Sequence, residues 1–383
     1  LRITRLKLQH WRNFRSAEIN LSQRSFFVGP NASGKSNLLD ALRFLKDIVS
    51  DGGGFQSAVA RRGGVGDIRC FAARQKPNII IEFDLGDDNL PDQWTYKLEF
   101  SHGTTQNSKR PHLVREVVKR HGRKDPLLVR PDGNDNKDPV RLEHTALEQV
   151  NSNKKFREIA DFLASVRYLH VVPEIIRDPS RSSGGGDPFG GDLISRINAT
   201  APKTRDARLK RMEEALRVAV PQLSNLELLV EKSGVPHLRA KYKHWRPQGA
   251  WQREDSFSDG TLRLLGLIWS LQESGGPVLL EEPEMSLNPA IVQCLAPMIA
   301  RATARSKRQS LITTHSVELL SDGVALEEMH MLQPGDQGTD IISGTSQKEI
   351  QAMMEGGVPL GEAILPLTKA KEADRLPLLE LMS

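Results

Sequence analysis

Ser25-Phe26-Phe27-Val28 runs directly into Gly29-Pro30-Asn31-Ala32-Ser33-Gly34-Lys35-Ser36, and this stretch decides the fold. The apolar run reads as a short buried strand, and the loop fills every fixed position of the pattern G-x-x-x-x-G-K-[ST]. Past Asn37, residues Leu38, Leu39, Leu42, Leu45 and Ile48 recur at helical spacing until Gly52, Gly53 and Gly54 end the run. Strand, loop and helix follow in the order that phosphate binding needs. Glycines let backbone N–H groups curl round phosphate oxygens, and the helix N-terminus adds positive potential. Lys35 then reaches the outer phosphates and Ser36 offers a hydroxyl to Mg²⁺. With Gly usage of about 7%, a chance match is on the order of one per cent for a chain this long.

Composition bounds the rest. The 383 residues suffice for one large α/β domain or two modest ones. Against 48 acidic residues stand 53 basic ones, a mild excess compatible with nucleic acid without requiring it. Cys70 and Cys294 form no CxxC pair, so neither a disulfide framework nor a zinc site is expected, and a reducing cytoplasm fits best. Leu1 to Trp11 lacks the apolar core of a signal peptide, and Gln272, Glu273 or Gly276 interrupt the longest apolar stretches, so no membrane span is expected.

Alternation predicts strands over Leu1 to Gln9 and Ser16 to Leu21 ahead of the loop. Asn78 to Leu85, Trp94 to Phe100 and Leu113 to Lys119 read as an antiparallel β lobe around a polar turn at His102 to Lys109. His121 to Asp138 reads as a surface hairpin or loop, and Arg177 to Asp192 as a mobile Gly/Ser/Pro-rich loop. Between them, a helix about Phe156 to Leu163 leads into a strand at Tyr168 to Val172. A basic helix over Lys203 to Val220 precedes strands at Leu226 to Glu231 and His237 to Tyr242. Helix and strand then alternate: Leu262 to Leu271, Val278 to Leu280, Ala290 to Ala300, Ser310 to Thr313. The natural reading is an α/β P-loop fold with parallel strands in its core.

Three further motifs sit on that frame. Val278-Leu279-Leu280 delivers Glu281-Glu282-Pro283-Glu284 to a strand end, followed by Ser286-Leu287-Asn288-Pro289. Glu281 is placed to hold the metal and Glu282 to polarise an attacking water. An acidic helix start would look similar, since Glu offsets the dipole and Pro favours a first turn. Thr313-Thr314-His315-Ser316 ends the next strand, which makes His315 a candidate sensor of the γ-phosphate facing Glu282. Ser258-Asp259-Gly260-Thr261 opens an apolar helix; on its own it is an N-cap, and it gains meaning only from standing shortly before Glu281.

In this order and at these intervals the four elements resemble an ABC-type ATPase head of the RecF, SMC and OLD group, over nearly the whole chain. By that resemblance, Gly29, Pro30, Asn31, Ala32, Ser33, Gly34, Lys35 and Ser36 match the Walker A motif, with Asn37 beside them among the nucleotide contacts. Ser258, Asp259 and Gly260 match the signature motif, Glu281 and Glu282 the Walker B pair, Ser286 to Pro289 the D-loop, and His315 the switch histidine. Leu6-Lys7-Leu8 and Trp11-Arg12-Asn13-Phe14-Arg15 resemble the group's first strands, which implies base and α-phosphate contacts for Arg12, Asn13 and Phe14. The resemblance implies ATP and Mg²⁺, the metal on Ser36 and Glu281, catalysis by Glu282 and His315, and two heads enclosing two ATPs.

The departures shape the expectation. Glu281 stands where the group has Asp, so slow hydrolysis, or an ATP-binding scaffold without turnover, stays open. Gln56 and Gln75 both remain candidates for the Q-loop glutamine. In place of a coiled coil, residues 121–250 offer an insertion between an N-terminal lobe, 1–120, and a C-terminal lobe, 251–345, with a helical tail over 346–383. No acidic cluster of a Toprim nuclease follows His315, so a nuclease would be a separate protein. Compact heads of this kind resemble ATPase members of anti-phage systems paired with an effector. The expectation is therefore an ATP-switched homodimer controlling a partner effector, with a RecF-like repair ATPase at DNA gaps or ends as the alternative. Basic clusters at Lys119 to Lys124, Lys203 to Arg211 and Arg239 to Arg246 suit DNA phosphates, and are equally what a solvated face looks like. A transporter subunit is disfavoured by the Ser-Asp-Gly signature and the charged insertion.

Overall fold

A computed structural model describes residues 1–73, 77–103, 110–179, 186–243 and 250–368. Two six-stranded sheets and one three-stranded sheet organise them. The first is antiparallel, in the order Phe14–Asn20, Arg2–Trp11, Ile79–Gly86, Trp94–His102, Pro111–Arg120, Leu128–Arg130. The second runs Gly338–Ser343, Met329–Gly335, Arg24–Val28, Ser310–Thr314, Val278–Glu281, Arg167–Leu169. Its pairings are parallel except the edge hairpin made by the first two strands.

Period-two alternation explains how the parallel sheet is covered. Phe27, Leu279 and Leu311 face one way, into a core shared with Leu38, Leu42 and Leu45 of the helix Lys35–Val49 and with Ile81, Phe83 and Tyr96 of the antiparallel sheet. Phe26, Leu280 and Ile312 face the other way, against Leu265 and Trp269 of the helix Asp259–Gln272 and Ile299 of Leu295–Ser306. A strand buried on both faces must be apolar throughout, which is why these three carry no alternation in sequence. Each such side chain contributes roughly 1.5–3 kcal/mol by leaving water. The first helix is thus clamped between two sheets, with Phe44 stacked on Phe100 at 5.5 Å, and its N-terminal loop is held at the parallel sheet's edge.

The structure corrects several expectations. Of the hairpin or loop expected over 121–138, the hairpin is present, since Leu128–Arg130 pairs antiparallel with Pro111–Arg120; a helix Gly133–Lys137 follows that was not expected, capped by Asp132, which accepts from the N–H groups of Asn134 and Asp135. The helix expected over 290–300 is broken into Pro289–Val292 and Leu295–Ser306. Pro297 is the cause: it has no N–H to donate, and it sits in the first turn of the second piece, where none is needed. Only Arg167–Leu169 of the expected strand 168–172 is paired, because Pro173 begins the turn Pro173–Ile176. Unforeseen elements are the helix Leu193–Ala199, the strand Ala250–Arg253 and the hairpin over 329–343. Leu128–Arg130 and Arg167–Leu169 join the two large sheets, so sheet pairing extends past residue 120. Apart from them stands the third sheet, Ala250–Arg253, Pro236–Tyr242 and Leu223–Val230, backed by the helix Pro202–Ala219. Residues 104–109 of the expected turn, 180–185 of the expected mobile loop, 244–246 of the third basic cluster with 247–249 beyond it, and 369–383 of the tail lie outside the described residues.

Candidate functional site

The loop 29–36 holds its shape by backbone conformations that few residues tolerate. Ala32 and Gly34 are left-handed, with φ of 62° and 97°. A Cβ on Gly34 would lie 2.0 Å from Nδ2 of Asn13, and one on Gly29 2.6 Å from the carbonyl oxygen of Leu332. Glycine is demanded at both by close approach. Lys35 is buried, and its Nζ donates to the carbonyls of Gly29 and Pro30 at 2.9 and 3.1 Å. Burial lowers its pKa, while Glu282, Glu284 and Glu281 oppose that from a distance. A buried ammonium held by two carbonyls is an incompletely compensated cation. Ser33 Oγ is buried beside it without a hydrogen-bond partner among the described residues.

Parallel register brings the carboxylates to the same edge. Glu281 pairs with Thr313 in register, and its two oxygens accept from the hydroxyls of Ser36 and Tyr168. Burial pushes this carboxyl above the ordinary range, the Ser36 bond opposes, and neighbouring Glu282 adds to the rise. Glu282 is left-handed at φ 44°, a conformation rare for a residue with a Cβ. Its N–H still donates to Thr313 O at 3.0 Å, and its side chain turns to His315, Nδ1 to Oε1 3.3 Å. His315 is half-exposed. Glu284, by contrast, is buried, accepts from Thr314 Oγ1 at 2.6 Å and from the His315 N–H at 3.3 Å, and leaves Oε2 unpartnered among the described residues. Burial pushes its carboxyl up as well.

The N-terminal contacts divide. Asn13 donates to Ser33 O at 2.9 Å and to Thr339 Oγ1 at 2.6 Å, and accepts from Asn37 Nδ2 at 2.8 Å. Arg12, left-handed at φ 52°, donates to Asp67 O and lies 3.8 Å from Asp40. Phe14 is fully buried, so its side chain faces the core and is not presented to a base. Pro30 and Asn31 sit at the outer bend of the loop, Asn31 exposed. Ser258 Oγ caps the helix Asp259–Gln272 by accepting from Thr261 N, Asp259 pairs with Arg177 at 2.6 Å, and Gly260 abuts Ser286 O. Loop, carboxylates and histidine are therefore gathered at one edge, and residues 258–260 have other neighbours. Gln56 donates to the carbonyls of Pro111 and Glu143, and Gln75 lies outside the described residues.

An open cleft of about 440 Å³ runs from Ser36 and Asn37 past Asp40 to Tyr168, His170 and Glu281. Tyr168, His170 and Glu284 were not assigned roles from sequence. His170 is held against the Glu281 backbone with Nδ1 buried and unpartnered among the described residues, and burial lowers its pKa. The strand carrying Tyr168 pairs with Val278–Glu281, a long-range pairing that no local pattern announces. Among the described residues no cluster of three or more His, Cys, Asp or Glu side chains could hold a metal alone. The Ser36 hydroxyl and Glu281 carboxylate nevertheless fit Mg²⁺, which takes one or two protein oxygens and completes its shell with phosphate and water.

Comparison with known proteins accords with this geometry. The family described as AAA domain, putative AbiEii toxin, Type IV TA system matches residues 25–321. The chain belongs to this AAA-domain family. A second family, the P-loop containing region of AAA domain, matches residues 3–45. No curated protein matches the chain. Among solved structures, an SMC head bound to the C-winged helix domain of ScpA is similar with a TM-score of 0.56 and 17% identity, over 89% of this chain and 97% of that one. An SMC head with an extended coiled coil, from Pyrococcus furiosus, has a TM-score of 0.52 and 15% identity over 92% and 99%. Another, from Pyrococcus yayanosii, has a TM-score of 0.51 and 14% identity over 93% and 99%. The likeness shows the fold, that of an SMC head domain, and the AAA-domain family match places a P-loop within it. No described helix is long and apolar enough to cross a membrane.

Proposed function

We propose that this P-loop ATPase hydrolyses ATP with Mg²⁺, that two copies close over two nucleotides, and that closure controls a separate, nuclease-like effector in anti-phage defence in the cytoplasm. The observation that carries the hydrolytic part is the convergence at one strand edge of Ser36 on Glu281 and of His315 on Glu282, beside a buried Lys35 held by two carbonyls. When bound, the metal supplies charge neutralisation between the phosphates. Lys35 holds the outer phosphates, and the amides of residues 29–36 cradle them. Ser36 and Glu281 hold the metal. Glu282 orients the water and takes up its proton, and His315 orients Glu282 and faces the γ-phosphate. Asn13 keeps the loop against the first strands.

The dimeric part rests on Ser258, Asp259 and Gly260, whose neighbours in the chain are not the loop 29–36, and which would instead cap the nucleotide of a second copy. For an effector, support comes from the family's description as a putative toxin of a toxin–antitoxin system and from the SMC head bound to a winged-helix domain. We assign nucleotide chemistry to the lobes 1–120 and 251–345, joined at the cleft by Tyr168 and His170, and partner contacts to the rest of the insertion 121–250, chiefly its strands Leu223–Val230 and Pro236–Tyr242, and to the tail 346–383.

Light scattering of Glu282→Gln with and without MgATP tests this. The mass doubles with ATP if the reading holds, and Lys35→Ala shows no nucleotide binding. An unchanged mass removes the dimer, and equal turnover by wild type and Glu282→Gln removes hydrolysis by Glu282. A pull-down from the native host, with and without ATP, identifies the effector.

A further inference from the structure

Glu284 stands outside every role assigned so far, yet it touches both ends of the site. It is buried, with a single oxygen accepting from the Thr314 hydroxyl at 2.6 Å and from the His315 amide at 3.3 Å. That same oxygen lies 3.9 Å from His315 Nδ1, which meets Glu282 at 3.3 Å. Thr314 Oγ1 in turn accepts from Ser316 N at 3.0 Å, so the hydroxyl it offers to Glu284 also fixes the turn that carries His315. On its other side Glu284 is part of the turn bearing Ser286: Leu287 N donates to Glu284 O at 3.1 Å, and the Gly260 backbone is packed on Ser286 O.

We propose that Glu284 is a positioning residue, a latch that holds His315 onto Glu282 and ties that pair to the turn against which Gly260 packs. One oxygen of this buried side chain has no partner among the described residues, and the other accepts both of its bonds from Thr314 and His315, the residues that set the turn. Its pull is on the His315 backbone, which sets where the imidazole sits. Displacing a group by about 1 Å at a reacting centre costs on the order of 10²-fold. This inference rests on the hydrolytic reading of Glu282 and His315.

Glu284→Ala is expected to lower kcat by about 10²-fold with KM for MgATP nearly unchanged. Glu284→Gln, which keeps the accepting oxygen, is expected to stay within a few-fold of wild type. On a His315→Ala background Glu284→Ala should cost nothing further, since both act through one group. Without nucleotide, hydrogen exchange supplies a readout apart from turnover: the His315 amide loses protection in Glu284→Ala and keeps it in Glu284→Gln. Thermal unfolding of each variant monitors folding, and where Glu284→Ala does not fold, Thr314→Val removes one of the two donors and carries the test. Unaltered exchange at His315, a loss in Glu284→Ala that adds fully to His315→Ala, or a raised KM with kcat intact each overturns the latch. If Glu282→Gln leaves turnover unchanged, the hydrolytic reading fails instead, and the exchange result still decides whether Glu284 holds the His315 backbone.

Discussion

Two buried carboxylates, Glu116 in the antiparallel sheet and Glu284 at the edge of the parallel one, are treated in opposite ways. Glu116 is fully buried, and each oxygen receives two donors: Tyr96 OH and Leu147 N on one, Arg130 and Ala146 N on the other. Arg130 answers in kind, giving its five N–H groups to Glu116, Asp135 and the carbonyls of His144 and Arg141. Around the strand ends the accounting stays open. Glu284 Oε2, Ser33 Oγ and His170 Nδ1 lack partners among the described residues, and Lys35 is held by two carbonyls. Native interiors leave few polar groups unmatched, so a cluster of them at one edge marks capacity reserved for a ligand. The first region spends its polarity on holding shape, the second keeps it available.

The sharpest way to break that contrast is to remove the proton acceptor. Glu282→Gln should lower turnover by about 10²–10⁴-fold while leaving the unfolding midpoint close to wild type. A steady-state phosphate-release assay beside a thermal melt reads both, and a variant that melts early yet turns over normally would make Glu282 a second Glu116.

The converse substitution belongs to the closed network. Arg130→Met takes the paired cation from the fully buried Glu116 and one of two cations from Asp135, which keeps Arg141, and should cost about 3–5 kcal/mol in denaturant unfolding. Nucleotide affinity of the folded fraction should not change. Loss of affinity without loss of stability would place the network in the site and erase the distinction.

How much of this was legible beforehand follows the same divide. The loop 29–36, Glu281, Glu282 and His315 announce themselves because their spacing along the chain is what their chemistry constrains, and the structure gathers them at one edge. Tyr168 and His170 do not: a strand beginning at Tyr168 is legible, but its place beside Glu281 comes from a parallel pairing across more than a hundred residues, which no local pattern announces. Glu284 was in plain sight within Glu281-Glu282-Pro283-Glu284, but its burial depends on how the chain turns after a left-handed Glu282. Phe14 misled in the other direction: alternation puts Ala17 and Ile19 on one face and Phe14 on the other, yet all three are buried, because the alternation breaks between Phe14 and Ala17. The closed network was missed for its composition: residues 121–138 are rich in Gly, Pro, Asn and charge, and the pairing of Arg130 with Asp135 and Glu116, together with the Asp132 cap, makes them an ordered element.

His330 separates unmatched polarity from function. It is buried on the strand beside the loop strand, stacks on Phe27 at 5.4 Å, and has Nε2 unpartnered among the described residues. Burial holds its pKa down at about 4, against an ordinary 6.5. The neutral form is thus favoured in the native state. Stability is in full above pH 6.5, where both states are neutral, and is lost as pH falls toward 4, because only the unfolded chain takes up the proton. The loss reaches roughly 3 kcal/mol by pH 4 at 1.36 kcal/mol per unit. In urea titrations at pH 7 and 5, His330→Leu should flatten this dependence while nucleotide affinity at pH 7 stays put; altered affinity would bring His330 into the site.

The smallest effect probes the boundary between the two kinds of region. Tyr168 donates its hydroxyl to Glu281 much as Tyr96 donates to Glu116, so the two tyrosines offer a matched pair of deletions. Each removes one hydrogen bond to a carboxylate, fully buried at Glu116 and half-buried at Glu281, a change on the order of 1 kcal/mol. At Tyr96 the remaining three donors keep Glu116 in place, and Tyr96→Phe should appear only as lost stability. At Tyr168 only Ser36 remains among the described residues, and Ser36 is the residue proposed to share the metal with Glu281. Tyr168→Phe should therefore weaken the Mg²⁺ dependence of nucleotide binding by a few-fold, read by titrating Mg²⁺ against a fixed ATP analogue, with little change in the melt. If both tyrosines report in stability alone, Glu281 is a structural carboxylate, and the metal must be held at this edge by Ser36 and the phosphates without it.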